Sequence, residues 1–152
     1  MSDLVLFLPE TICLLGALML FAAQTVGARY RVVWVLAMLA GALALAASVW
    51  TWPLSGEPFY PGIYHVGFFS QFVKTIIAGG FVFVAAISSR PHTVREEAWA
   101  ELPMFLLLAT TGMMMLASAM ELVTLYISME LAAYPVYVAV ALHRSHDFRG
   151  ES

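Results

Sequence analysis

Glu130 is the residue with the strongest claim to chemistry. It stands near the middle of residues 121–142, ELVTLYISMELAAYPVYVAVAL, a mostly apolar run long enough to cross a bilayer as a helix. A carboxylate at that depth costs roughly 2.5 kcal/mol or more even on lenient insertion scales, so it needs a partner, a cavity or a task. At 100° per residue, Tyr126, Tyr134 and Tyr137 fall within about 40° of it. One helix face thus carries three phenols around one carboxyl group. Pro135 has no N–H and frees the carbonyl of Leu131. In a membrane that carbonyl needs another donor, such as a water or a neighbouring side chain. A buried acid beside an opened backbone is what a proton or cation path uses. The competing use of the same residue is a carboxyl that pins two helices together.

Other polar residues carry weaker signals. Lys74, the only lysine, lies in the first turns of an apolar run at 71–89. It can snorkel to the interface, or it can face a neighbouring acid and join such a path. Glu10 follows Pro9 near the start of another run, 4–26. Pro suits a first helical turn and an acid there faces the positive end of the helix dipole, so Glu10 alone reads as a helix-start residue. His65 sits among aromatics and reads as interfacial. His143 and His146 have i, i+3 spacing, but two ligands are too few for zinc, and they read as part of a solvated tail. Met113-Met114-Met115 reads as adaptable packing, and Cys13 as a small packing residue without a disulfide partner in the chain. No Gly-rich phosphate loop, Cys-x-x-Cys pair or serine-nucleophile motif occurs. No catalytic residue, redox centre, metal or cofactor is therefore expected on this chain.

The elements that must hold these residues are membrane helices. The 152 residues are 62% hydrophobic and 11% charged, against about 25% charged in a soluble domain. The mean hydropathy is +0.86. Apolar runs at 4–26, 32–50, 71–89, 102–117 and 121–142 predict an all-α bundle of five transmembrane helices in a single membrane domain. The second run is rich in alanine and small residues suited to close helix contacts. The connection 51–70 holds prolines, glycines and aromatics. Residues 89–101, SRPHTVREEAWAE, read as a solvated loop, with Pro103 in the first turn of the next helix. Only a tight turn fits at 118–121. Six of the seven basic residues fall in 27–31, 89–101 and 143–152, and the connections on the other side carry none. This asymmetry predicts a multi-pass protein with its N-terminus outside. Scattered basic residues exclude a nucleic-acid footprint.

Several stretches resemble a known family. The opening FLPETICLLGALMLF resembles the Leu-Pro-Glu start of subunit N of proton-pumping NADH:quinone oxidoreductase, respiratory complex I. Residues Gly112-Met113, Leu116-Ala117-Ser118-Ala119, Glu130-Leu131, Pro135 and Tyr137-Val138 match the phrase that recurs in that subunit's fourth and fifth helices. FSQFVKTII is similar to its third. The subunit is one of the antiporter-like group, which also supplies sodium/proton antiporters and membrane-bound hydrogenases.

The resemblance implies a role as well as a fold. It implies that Glu130 is a proton-path residue; by helical position Tyr126, Tyr134, Pro135 and Tyr137 line it, and Lys74 is a candidate further member. In the family this glutamate works with lysines on later helices and with a second inverted repeat. The chain is accordingly expected to be a fragment, a truncated product or the N-terminal part of a split subunit. It would act in a bacterial plasma membrane, with other membrane-arm subunits and the remainder of its own subunit as partners, as part of a translocase. The alternatives are a subunit of an antiporter or hydrogenase, and a small structural or assembly membrane protein that uses Glu130 only between helices.

Overall fold

The computed structural model describes residues 5–54, 63–88 and 96–147. Five helices hold almost all of them: α1 (Leu8–Thr25), α2 (Tyr30–Trp50), α3 (Phe68–Ser88), α4 (Glu96–Leu116) and α5 (Leu122–Asp147). A short 3-10 turn, Trp52–Leu54, follows α2. Four of the helices are long and apolar enough to cross a membrane, and in α4 the apolar part is the shorter Glu101–Leu116. The all-α bundle expected from the apolar runs is the observed architecture.

Helix ends follow local chemistry. Pro9 sits in the first turn of α1, where its missing N–H costs nothing. Gly27 closes the helix at φ +77, a left-handed conformation that suits glycine. Its N–H and that of Ala28 turn back onto the carbonyls of Gln24 and Ala23. The predicted loop at 89–101 is shorter than expected. Helix α4 begins at Glu96, because Glu96 to Glu101 are mostly good helix formers. Pro103 therefore lies inside α4 and not in its first turn. Helix α3 starts earlier than the apolar run, at Phe68, and α5 continues past 142 to Asp147. Residues 55–62, 89–95 and 148–152 lie outside the described part, as do the side chains at 142–147, including the His143/His146 pair.

Small residues set the packing. Buried Ala37, Ala40, Gly41, Ala44 and Ala47 make a stripe along α2. Gly16 of α1 lies so close to Ala40 that an added Cβ would stand 2.8 Å from the alanine methyl. Gly41 receives the ring of Phe81 from α3. Such stripes let backbones approach, which drives association where lipid removes the hydrophobic term. The core joins Cys13, Ala17 and Leu20 of α1 to Val33 and Trp34 of α2, Phe81 of α3, and Leu107 and Met114 of α4. Cys13 is buried and unbridged.

Helix α5 packs chiefly on α4. Only 11% of its apolar stretch is buried, the lowest share among the four long apolar helices. The contact is backbone to backbone: a Cβ on Gly112 would meet the main-chain nitrogen of Ala132 and stand 2.7 Å from the Leu131 carbonyl carbon. Gly112→Leu is therefore expected to separate α4 from α5. Overpacking costs about 1–3 kcal/mol where side chains can yield, and here the obstacle is main chain. The loss should appear as a lower midpoint of thermal unfolding in detergent.

Candidate functional site

The first, third and fifth helices run in the same direction, so their starts share one face of the bundle with the end of α4. At that face, residues 63–67 pair with the α4–α5 turn. The Met120 N–H donates to the Ile63 carbonyl at 3.0 Å and the His65 N–H to the Ser118 carbonyl at 2.9 Å. Tyr64 and Ala119 form an antiparallel bridge there. The Trp52 indole N–H donates to Thr75 Oγ1 at 3.1 Å and ties the turn after α2 to α3. The Tyr64 ring meets Phe7 edge-on at 5.4 Å between centroids.

This bracing encloses an ion pair. Lys74 Nζ lies 2.5 Å from Glu10 Oε1, with both side chains removed from solvent. Lys74 does not snorkel: it is fully buried, and its ammonium also stands 5.3 Å from the centroid of the Tyr64 ring. Of the two uses open to Lys74 from sequence, the structure shows the neighbouring acid, and that acid is Glu10. The Tyr64 hydroxyl donates to the same Glu10 oxygen at 2.6 Å. Tyr64 is in turn hydrogen-bonded to Ser118, and Ser118 to Ser70. Tyr64 lies between the spans, and burial, then the Glu10 charge and hydrogen bond, push its phenol above the ordinary range.

The fifth-helix residues are arranged differently. Glu130 is half-buried, and the Tyr126 phenol is hydrogen-bonded to it. Tyr126, Tyr134 and Tyr137 are all exposed on the outer side of α5. Pro135 is buried within a continuous helix. Gly112 lies against the backbone at Leu131 and Ala132, beside the carbonyl that Pro135 leaves without its helical donor. Glu130 is thus only half-buried in this bundle, and among the described residues the fully buried carboxyl is Glu10. The phenol face looks away from the other four helices because α5 covers only α4 with its opposite side. Among the described residues, no three His, Cys, Asp or Glu side chains lie together as metal ligands would.

Sequence reasoning treated Glu10 and Lys74 separately and missed Tyr64, Gln71, Ser70 and Ser118. One signal was present. Helices of like direction place their starts on one face, so a lone acid at the start of the first and a lone lysine near the start of the third can meet.

Fold and site define a polytopic helical membrane protein with ionisable groups held between its helices. Its sequence belongs with subunit N of NADH-quinone oxidoreductase. Proteins named NADH-quinone oxidoreductase subunit N 2 from Opitutus terrae, Syntrophobacter fumaroxidans and Solidesulfovibrio magneticus are 35%, 33% and 36% identical to it. The matches cover 97%, 91% and 93% of this chain, and 30%, 29% and 30% of those proteins. The chain thus spans about a third of the length of the curated relatives it matches. No family model matches the chain. No solved structure matches it.

Proposed function

We propose that these five helices serve in proton translocation by a membrane-arm subunit of an NADH:quinone oxidoreductase in a bacterial plasma membrane. The observation that supports this best is the match to subunit N over nearly the whole chain. Chemistry on NADH and quinone would take place in other subunits. This part would move protons through changes in the charge of Glu130, together with the remainder of a polypeptide of subunit N length and its membrane-arm partners. The distribution of basic residues supports an N-terminus on the outside, which sets the Glu10–Lys74 pair at the outer face.

The outward α5 face fits this reading. The three tyrosines are uncovered and Glu130 is half-buried within the bundle, so an additional helix can supply their partners. An ionisable residue inside a membrane is normally turned toward a protein interior or a water-filled cavity. A tagged form of this chain expressed in its own host should recover, from solubilised membranes, an assembly that reduces quinone with NADH. Recovery with hydrogenase or antiporter polypeptides and no such activity would overturn the assignment. Recovery of the chain with no membrane-arm polypeptide would leave the assembly role.

A further inference from the structure

The pair at the N-terminal face has more polar capacity than its own contacts use. Glu10 Oε1 takes both the Tyr64 hydroxyl and the Lys74 ammonium, and Oε2 has no partner among the described residues. One turn before Lys74 on α3, Gln71 is fully buried, and neither its amide oxygen nor its amide nitrogen is bonded among the described residues. Buried polar groups are ordinarily satisfied by protein or by ordered water. A purely structural ion pair would be closed by the donors and acceptors around it. Here an acceptor of Glu10 and a whole amide stand open in a region otherwise sealed from solvent.

The same residues form an unbroken chain of exchangeable protons. Ser70 is bonded to Ser118, Ser118 to Tyr64, Tyr64 to Glu10, and Glu10 meets Lys74. None of the five is more than 5% exposed. The chain starts beside the surface: Ser118 belongs to the α4–α5 turn, where Met120 and Glu121 are exposed, and Ser70 follows exposed Phe68 and Phe69. It ends about 9 Å along α3, at Lys74, by the rise of six residues. We propose that Ser70, Ser118, Tyr64, Glu10 and Lys74 form a second proton-conducting site, separate from Glu130, through which the N-terminal face exchanges protons with the Glu10 carboxylate.

The transfer balances without a co-reactant. A hydronium at the surface gives its proton to the Ser70 oxygen as the Ser70 hydroxyl proton passes to Ser118. The Ser118 proton passes to the Tyr64 oxygen, and the Tyr64 proton to Glu10. Each hydroxyl loses one O–H bond and gains another, and the only net change is a carboxylate made into a carboxylic acid. Return follows the same bonds after the hydroxyls rotate. The new acid O–H can find its acceptor in water. The titratable groups that face Glu10 are Lys74 from α3, Tyr64 from the 63–67 segment and Cys13 from α1 itself. The buried residues of α2 include none, and the α4–α5 turn brings the neutral Ser118. Protonation therefore leaves Lys74 as the charged member, and its positive charge favours return of the carboxylate, which makes the loading reversible.

The test reads the carboxyl itself in the full chain reconstituted in lipid, so it does not depend on the quinone-reductase assignment. Infrared difference spectra across a pH step should show a protonated-carboxyl band that shifts in heavy water. The band should be lost in Glu10→Gln and kept in Glu101→Gln, at the opposite end. Because Glu10→Gln leaves Lys74 unpaired and can unfold, Tyr64→Phe decides independently. It keeps the ring and the ion pair but removes the relay hydroxyl, and the band should rise more slowly than in the parent. No titrating buried carboxyl in the folded parent chain would overturn the proposal. So would an unaltered time course in Tyr64→Phe, or a band that persists in folded Glu10→Gln.

Discussion

Glu130→Gln, introduced into the assembled complex of the proposed function, is expected to remove most coupled proton transfer while leaving assembly intact. The amide has nearly the shape of the carboxyl, and its oxygen still accepts the Tyr126 phenol. Half-burial on α5 leaves room for it without repacking. A residue that merely bonds two helices tolerates this change, because interhelical bonds by Gln are comparable in strength. A residue that loads protons does not tolerate it, because the amide never changes charge near neutral pH. Transfer should fall by about 10²-fold, the lower end of what a positioned acid–base group contributes. Glu130→Asp should keep part of the activity, since the group still titrates from a shorter stem. NADH-driven acidification of inverted vesicles, measured beside quinone reduction and a native gel, separates the cases. Full pumping by an assembled glutamine variant would remove Glu130 from the path and leave it a structural bond.

Lys74→Met is expected to be the most destabilising single change in the bundle. It leaves Glu10 charged and enclosed, with Tyr64 as its remaining donor. Breaking a buried pair by removing one member costs about 3–5 kcal/mol. Adding Glu10→Gln to Lys74→Met should recover most of that loss, because an amide can be satisfied by Tyr64 at no Coulombic cost. Lys74→Arg should not substitute well, since a planar fork does not fit where a compact ammonium touches one oxygen. Thermal unfolding in lipid-like detergent gives all four values. Equal midpoints for Lys74→Met and the double variant would show that the two residues are not coupled.

The helices were legible in the residues because lipid imposes a simple rule: long apolar runs become spans. Five runs became five helices, and the departures are at ends. Proline at 103 suggested a start, but Glu96 to Glu101 are strong enough helix formers to carry α4 past it. Membership in subunit N was legible in FLPETICLLG and in Glu130-Leu131 with Pro135. The Glu10–Lys74 pair was not legible from either residue alone. Glu10 obeys every rule for the first turn of a helix, and local rules say nothing about what lies across from it. Its partner is 64 positions away on a helix that does not pack along α1. Tyr64 and Ser118 were hidden for the same reason, since an isolated bridge between a loop and a turn has no pattern in the chain.

The enclosure of Lys74 makes the protein unusual toward reagents and labels. It is the one side-chain primary amine in 152 residues, so acylating reagents find no lysine on the closed bundle. Modification at position 74 would then count, molecule by molecule, how often the N-terminal end of the bundle opens. Isotopically labelled lysine would likewise give one side-chain nitrogen resonance, free of overlap, from the buried pair. The protein carries its own spectroscopic reporter at the place where its charges meet.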